Sequence, residues 1–227
     1  MGTQFKGDER GCMLAFLGGT GPEGRGLALR LALAGEEVII GSRDGERAAT
    51  AADELVQHSP MARIAGGDNH EAASRSEVVF LTVPYEAQRP LLEQLRGSLM
   101  GKVVVNVIAP MRFERGRGAI AVPVDAGSAA EESQELLPDS QVVAAFQNIS
   151  AETLLDPSVA MEGDVVVCSD HREAKALVMA LTNRIPQLRA VDGGALANAK
   201  YVEQITPLLI NINRIYKVHS GIQIVGL

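Results

Sequence analysis

The stretch that decides the fold is MLAFLGGTGPEGRGLALRLALAG, residues 13–35. Its first five residues, Met13–Leu17, are an unbroken apolar run, which predicts a buried strand that stops at the following glycines. From Gly24 onward apolar residues recur at helical spacing, and Gly35 then ends the predicted helix. A strand, a glycine-rich turn and a helix in this order predict the start of a βαβ unit.

The turn in this stretch fits the pattern G-x-G-x-x-G. The first glycine permits a tight turn, the second lets backbone approach a pyrophosphate, and the third lets the helix pack closely on the strand. Proline suits the first helical position, and the free N–H groups at the helix N-terminus attract an anion. A glycine-rich turn without a ligand is the alternative. We predict a dinucleotide site that includes Gly19, Thr20, Gly21, Pro22, Glu23 and Gly24.

The end of the second predicted strand, Val38–Ile40, bears on the choice of nucleotide. An NAD-binding protein usually has Asp or Glu there to accept hydrogen bonds from the ribose 2′-hydroxyl. Here the strand is followed by Ser42 and Arg43, with Arg47 further along. A guanidinium binds a phosphate with two hydrogen bonds, so NADP(H) is predicted. The alternative is an exposed arginine at a helix start, where the helix dipole opposes a cation.

Strands and helices alternate through the first half of the chain. The clearest further strands are Glu77–Val83 and Lys102–Ile108, and Asp44 is the predicted N-cap of the second helix. This alternation is typical of a parallel sheet with helices on both faces. We therefore predict an α/β fold with a Rossmann-type, doubly wound parallel sheet and a smaller C-terminal α/β region.

The pattern changes after Pro110. Met111–Val124 is irregular, which predicts a linker or lid. Ala195–Tyr216 predicts a long helix bent near Pro207, and its apolar face, which includes Val202, Ile205, Leu209 and Ile212, is too broad for a monomer's surface. With the apolar, strand-like tail Gly221–Leu227, this face predicts a homodimer. The predicted divisions are a flexible extension (residues 1–11), an NADP-binding Rossmann domain (12–125) and an acceptor-binding and dimerisation region (126–227).

Composition narrows the classes of partner. The 227 residues are 46% hydrophobic and 22% charged, which argues against disorder, and the net charge of −7 argues against nucleic acid and anionic membranes. No window approaches the roughly 18–20 apolar residues of a membrane span, and the N-terminus lacks a signal peptide's apolar core. Cys12, Cys168 and four scattered histidines predict no metal site. A cytoplasmic protein with small-molecule partners is expected.

The sequence shows no evident acid–base pair. Lys200 and Glu203 predict a surface pair more readily than a catalytic one. Asn211, which interrupts an apolar helix, either satisfies buried backbone or lines a ligand cavity. The lack of an acid–base pair fits an enzyme that aligns two hydride carriers, where geometry does most of the work. No residue is therefore assigned a catalytic role.

Several motifs together resemble one family, the NADPH-dependent reductases of coenzyme F420, an 8-hydroxy-5-deazaflavin. The resemblance covers nearly everything from Met13 to Leu227. The stretches that carry it are LGGTGPEGRGLALRL (17–31), IIGSR (39–43), LTVPYEA (81–87), VVAAF (142–146) and LVMALTNRIPQLRAVDGGALANAKYVEQITPLLININ (177–213). The resemblance implies an oxidoreductase that transfers a hydride reversibly between NADPH and F420. It also implies a C-terminal region, shared across a dimer, that buries the deazaflavin against the nicotinamide.

The resemblance also implies roles for individual residues. It gives nucleotide contacts to Thr20, Ser42, Arg43 and Arg47, and a place beside the nicotinamide to Val83, Pro84, Ala109 and Pro110. It gives the acceptor side to Gln147, Asn148, Ile149 and Gln204, where archaeal members have His in place of Gln147 and Ser in place of Gln204. Two alternatives stay open at this point. One is NADPH-dependent reduction of an imine, a flavin or a ferric complex, and the other is an NADP(H)-sensing protein without activity.

Overall fold

The computed structural model describes residues 13–227, so Cys12 and the predicted extension 1–11 lie outside the described residues. The strands are β1 (Met13–Leu17), β2 (Glu37–Ser42), β3 (Arg63–Asp68), β4 (Val78–Leu81), β5 (Val103–Asn106), β6 (Met111–Glu114), β7 (Gly118–Ala121), β8 (Gln141–Ala144), β9 (Gly163–Val167) and β10 (Leu188–Asp192). The helices are α1 (Pro22–Leu33), α2 (Gly45–His58), α3 (Asn69–Arg75), α4 (Tyr85–Leu99), α5 (Ala129–Leu136), α6 (Ala151–Leu155), α7 (Arg172–Asn183) and α8 (Ala199–Tyr216).

Six parallel strands form the central sheet, in the order β3-β2-β1-β4-β5-β8. In the register, Leu17 at the end of β1 is level with Gly41 of β2 and Leu81 of β4. The chain moves outward in one direction from β1 to β3 and returns to add β4 on the other side. This reversal of strand order confirms the doubly wound fold and leaves a crevice at the carboxyl ends of β1 and β4.

The centre of the sheet is buried on both faces. Every residue of β4 is buried, and so are all residues of β1 except Met13, which explains why these strands are continuous apolar runs. On one face Phe16 and Phe80 stack with ring centroids 4.5 Å apart, and Phe146 lies against Phe80 at 6.1 Å. Such an aromatic pair contributes about 0.5–1.5 kcal/mol beyond its burial.

The C-terminal part of the chain continues this sheet and does not stand apart from it. β8 pairs with β5 although it lies beyond the predicted division at residue 125, so that division does not coincide with the edge of the sheet. A smaller parallel pair, β9 and β10, joins β8 through an antiparallel bridge between Ala144 and Cys168. Arg30 of α1 donates hydrogen bonds to four carbonyl groups at and beyond α6, which ties this region to the first helix.

Four expectations about the second half differ from the structure. Met111–Val124 is not an irregular linker, because β6 and β7 pair as an antiparallel hairpin. The tail Gly221–Leu227 contains no strand, and α8 begins at Ala199 after a separate 3₁₀ turn. The apolar residues of α8 also do not form one broad exposed face. Val202 and Leu209 are buried within the protomer, whereas Tyr201, Leu208 and Ile215 are exposed.

Between residues 13 and 227, no helix combines the length and the apolar composition needed to cross a membrane. In the same part of the chain, no group of three or more His, Cys, Asp or Glu side chains could hold a metal ion.

Candidate active site

A cleft of 1180 Å³ lies at the carboxyl edge of the central sheet, and residues of α8 form part of its wall. The predicted site residues that line it are Thr20, Gly21, Pro22, Glu23, Ser42, Arg43, Arg47, Val83, Pro84, Ala109, Gln147, Asn148 and Ile149. Gly19, Gly24, Pro110 and Gln204 are not among its lining residues. The structure therefore brings both predicted groups, the nucleotide side and the acceptor side, into one continuous space.

The glycine-rich turn is held by backbone geometry. Gly18, and not Gly19, has the positive φ of the tight turn (+70°), and its N–H donates to Asn69 Oδ1 at 3.2 Å. A Cβ on Gly19 would lie 2.6 Å from the carbonyl oxygen of Phe16, so Gly19 serves close packing. A Cβ on Gly24 would lie 2.5 Å from Gly19 Cα, which is the close approach predicted for the third glycine. The surroundings of Gly21 are open, so a ligand can reach its backbone.

The N-terminus of α1 faces this cleft. Its N-cap, Gly21, has no side chain to bind the first N–H groups of the helix, so these groups remain available to an anion. Glu23 lies in the first turn, and its Oε1 atom is buried with no hydrogen-bond partner. Because burial penalises the ionised form, the pKa of Glu23 is raised to about 8. At neutral pH this carboxyl group is therefore mostly uncharged.

The end of β2 and the first turn of α2 present two cations. Asp44 caps α2 by accepting from the N–H groups of Glu46 and Arg47, which confirms its predicted role as N-cap. Arg43 and Arg47 are exposed and line the cleft, and within residues 13–227 neither side chain forms an ion pair. Ser42 is nearly buried beside them. This set of side chains suits a phosphate group.

Two buried amides mark the other side of the cleft, just beyond β8. Gln147 donates from Nε2 to the carbonyl oxygen of Asn106 at 2.9 Å, and Asn148 donates from Nδ2 to that of Asp164 at 2.8 Å. The Oε1 atom of Gln147 and the Oδ1 atom of Asn148 are buried without a partner in the described part of the chain. A buried acceptor without a donor costs about 1–3 kcal/mol, so both oxygens would gain from a ligand that donates hydrogen bonds.

A buried network behind Gln147 was not evident from the sequence. Asn106 donates from Nδ2 to Gln88 Oε1 at 2.8 Å and to Ser133 Oγ at 2.9 Å. Thr206 of α8 lines the cleft and donates to the carbonyl oxygen of Gln147 at 2.8 Å. Asn106 ends a strongly apolar strand, and this polar position at a carboxyl edge is the one sequence signal that could have indicated the network.

The sequence also missed several lining residues, because they come from distant parts of the chain. Asn69, Thr82 and Tyr85 extend the nucleotide side, and Asn213, Arg214, Lys217 and His219 come from the end of α8 and the turn after it.

Two predictions about α8 are resolved by its contacts. Glu203 is not a surface residue paired with Lys200, because it is only 3% exposed and accepts from the N–H groups of Ala129 and Ala130 at 2.9 and 3.1 Å. Burial raises the pKa of Glu203 to about 7. Asn211 satisfies backbone, since it exchanges two hydrogen bonds with Ala119 of β7. Gln204 is exposed and lies outside the cleft.

Comparisons with known proteins show which family the chain resembles. The family model described as NADP oxidoreductase, coenzyme F420-dependent, matches residues 13–110. The chain is 44% identical to the F420-dependent NADP reductase of Methanothermobacter marburgensis, over 94% of this chain and 98% of that protein. It is 42% identical to the F420-dependent NADP reductase of Methanocaldococcus jannaschii, over 94% of this chain and 98% of that protein.

A solved structure extends the comparison to the whole fold. The protein from Arthrobacter sp. FB24, provisionally described as an F420-dependent NADP reductase, superposes with a TM-score of 0.80 at 26% identity, over 94% of this chain and 99% of that chain. The resemblance seen in the sequence is thereby confirmed. The chain belongs to the family of F420-dependent NADP reductases, which are NADP-dependent oxidoreductases.

Proposed function

We propose that the cleft holds NADP(H) along the carboxyl edge of the sheet and coenzyme F420 against α8, and that the protein transfers a hydride reversibly between them. The observation that carries this proposal is the single cleft of 1180 Å³. It joins a phosphate-binding turn and two unpaired arginines to a pair of unsatisfied amides. Hydride transfer is the chemistry of the two carriers, and the protein supplies their alignment and excludes water.

On the nucleotide side, Gly21 and the N-terminus of α1 would receive the pyrophosphate. Ser42, Arg43 and Arg47 would receive the 2′-phosphate, which distinguishes NADP(H) from NAD(H). This fit rests on the absence of an acidic partner for either arginine within residues 13–227. Residues 12–125 would then provide most of the nucleotide site.

On the acceptor side, residues 126–227 would contribute most of the contacts. Val83, Pro84 and Ala109 are small or rigid residues at strand ends, and they would flank the nicotinamide. The free oxygens of Gln147 and Asn148 would accept hydrogen bonds from N–H groups of the bound carriers. Beside them Ile149, together with Leu209 of α8, offers apolar surface to a flat ring.

The test mixes the protein with NADPH and oxidised F420 and follows the visible absorbance of the deazaflavin. We expect the absorbance to disappear with equimolar loss of NADPH. Oxidation of NADPH by an imine, a flavin or a ferric complex, without reduction of F420, would identify another acceptor. Binding of NADPH with no turnover of any acceptor would identify a sensing protein.

We also propose that the protein is a cytoplasmic homodimer. Tyr201, Leu208 and Ile215 are exposed at helical spacing on one side of α8, and they would form the centre of the interface. Val225 and Leu227 in the tail add further exposed apolar surface. A cytoplasmic location would give the protein access to soluble NADPH.

A further inference from the structure

Two basic side chains at the end of α8 have been given no role so far. Arg214 and Lys217 line the cleft, are exposed, and form no ion pair within residues 13–227. We call them the α8 basic pair. The chain as a whole carries a net charge of −7, so two unpaired cations in one cleft differ from the acidic character of the rest of the protein.

The α8 basic pair belongs to the acceptor side of the cleft. Arg43 follows β2, whereas Thr206 fastens α8 to Gln147, just beyond β8. In the sheet order, β2 and β8 are four strand spacings apart, which is roughly 19 Å. Arg214 packs at the start of β7, in the hairpin that follows β5. Arg43 and the α8 basic pair are therefore too far apart to bind the same phosphate group, and we assign them to different ligands.

The position of Arg214 is set by the hairpin. Asn211 accepts from the N–H of Ala119 at 3.0 Å and donates to its carbonyl oxygen at 2.7 Å, which joins α8 to β7. Gly118 has a φ of +86°, and a Cβ there would lie 3.1 Å from Nη2 of Arg214. The missing side chain leaves room for the guanidinium at the edge of the cleft.

The turn that follows is also fastened. Lys217 has a left-handed φ of +54°, and Asn213 Oδ1 accepts from both the N–H and the hydroxyl group of Ser220. His219 lies 3.3 Å from a carboxylate oxygen of Glu152. These contacts hold the segment after α8 beside the cleft.

The acidic residues in the cleft do not neutralise the α8 basic pair. Glu152 and Glu23 are the carboxyl groups among its lining residues. Within residues 13–227, Glu152 contacts His219 and forms no ion pair with Arg214 or Lys217, and Glu23 is mostly uncharged at neutral pH because burial raises its pKa to about 8. Both cations are therefore available to an anion that enters with the acceptor.

We propose that Arg214 and Lys217 bind the anionic side chain of the acceptor, namely the phosphate and the glutamate carboxylates that coenzyme F420 carries beyond its ribityl chain. This inference rests on the proposed function. A guanidinium pairs with phosphate or carboxylate through two hydrogen bonds, and an ammonium adds a mobile point charge. The pair would thus favour the complete coenzyme over its deazaflavin core, which has the same reactive ring but neither the phosphate nor the glutamates.

The experiment compares two acceptors, F420 and 7,8-didemethyl-8-hydroxy-5-deazariboflavin, which lacks the phosphate and the glutamates. Their KM values are measured at saturating NADPH for the wild type, for Arg214→Gln/Lys217→Gln, and for Arg96→Gln/Arg172→Gln. The last pair is a charge-matched control, because Arg96 and Arg172 are exposed and lie outside the cleft. We expect the wild type to have a KM for F420 about tenfold lower than for the core, a charge-assisted effect that added salt reduces.

In the double variant we expect the KM for F420 to rise about tenfold, while the KM for the core and for NADPH stays within about twofold. The control should behave as the wild type does. A cation at a helix C-terminus also stabilises the helix, so titration of NADPH fluorescence is used to show that each variant still binds nucleotide. Arg214→Glu/Lys217→Glu should raise the KM for F420 further.

Three outcomes would overturn the inference. The first is a wild type whose KM is the same for the two acceptors. The second is a double variant whose KM rises equally for both acceptors. The third is a double variant that no longer binds NADPH. The proposed function fails separately, if the wild type reduces neither acceptor. If the wild type reduces both with equal KM, the proposed function stands and only the role of the α8 basic pair is refuted.

Discussion

Arg43 is the side chain on which we expect the choice of nucleotide to depend most directly. It is exposed at the end of β2, next to Ser42, and the carboxylate of its other neighbour, Asp44, is occupied in capping α2. An acidic side chain at position 42 or 43 would repel a 2′-phosphate, whereas the guanidinium attracts it.

We predict that Arg43→Ala lowers kcat/KM for NADPH by about 10- to 150-fold, because a charge-assisted hydrogen bond contributes roughly 1.5–3 kcal/mol. Activity with NADH should barely change, since NADH has no 2′-phosphate. Ser42→Asp/Arg43→Ala should shift the preference towards NADH. Steady-state kinetics with both nucleotides provide the measurement, and Arg96→Ala is the control. An unchanged NADPH/NADH ratio in Arg43→Ala would refute the role of this residue.

We expect Glu23 to give the predicted nucleotide site a pH dependence. Its pKa is raised to about 8 by burial, so the carboxyl is neutral at pH 7 and becomes a carboxylate above pH 8. We predict that the KM for NADPH rises as the pH passes through about 8, because the new charge repels the pyrophosphate at the N-terminus of α1. Glu23→Gln should remove this rise. Glu173→Gln, in the exposed first turn of α7, is the matched control. A wild-type profile that is flat to pH 9 would contradict the prediction.

Gln147 is predicted to act on the acceptor and not on NADPH. Gln147→Ala should raise the acceptor's KM or lower kcat by about 2- to 12-fold, the equivalent of one uncharged hydrogen bond of 0.5–1.5 kcal/mol. NADPH affinity should stay within about twofold. Gln204→Ala is the comparison, since Gln204 lies outside the cleft and its loss should have no effect. Loss of NADPH binding in Gln147→Ala would show that the two ligands have been placed wrongly.

At the scale of elements, α8 forms part of the cleft wall because three other elements hold it in place. Glu203 binds the free N–H groups at the start of α5, Thr206 binds the backbone just beyond β8, and Asn211 binds β7. Glu203 is the member of this set that titrates. Its carboxyl has a higher pKa in the folded protein, about 7, than an exposed glutamate has.

The folded state therefore holds the Glu203 proton more tightly than the unfolded chain does. The resulting stability is fully present below about pH 4.3 and is lost as the pH rises through about 7. We predict that the unfolding free energy of Glu203→Gln, relative to the wild type, increases between pH 4 and 8 by up to about 3 kcal/mol. Urea unfolding at several pH values measures it, with Glu173→Gln as the control. A difference that does not vary with pH would contradict the assigned pKa.

At the scale of the whole molecule, the exposed side of α8 is predicted to join two protomers. Light scattering at micromolar concentration should give twice the chain mass of 24.0 kDa. Leu208→Asp/Ile215→Asp should give monomers, because two charges would be buried in an interface of roughly 2,000 Å² or more. Met61→Asp, at an exposed site outside α8, should leave the dimer intact. A stable wild-type monomer would refute the prediction.

The local signals of the chain were sufficient for much of the fold. The predicted bounds of β1, Met13–Leu17, are those of the structure, and the cap by Asp44 is confirmed. Such features depend on residues within one or two turns of each other. The hairpin of β6 and β7 was missed because its strands are only four residues long, and positive-φ glycines at positions 116 and 118 resemble an irregular loop.

By itself, the sequence determined the doubly wound sheet, the glycine-rich turn and the basic end of β2, because each depends on neighbouring residues that recur with a fixed period or spacing. Only the tertiary structure decided that Glu203 of α8 is buried against the start of α5, that Asn211 binds β7, and that the end of α8 lines the cleft. Glu203 and its partner Ala129 are 74 residues apart, and Asn211 and Ala119 are 92 apart. Contacts at such separations depend on how whole elements pack, and no local pattern of residue types records that packing.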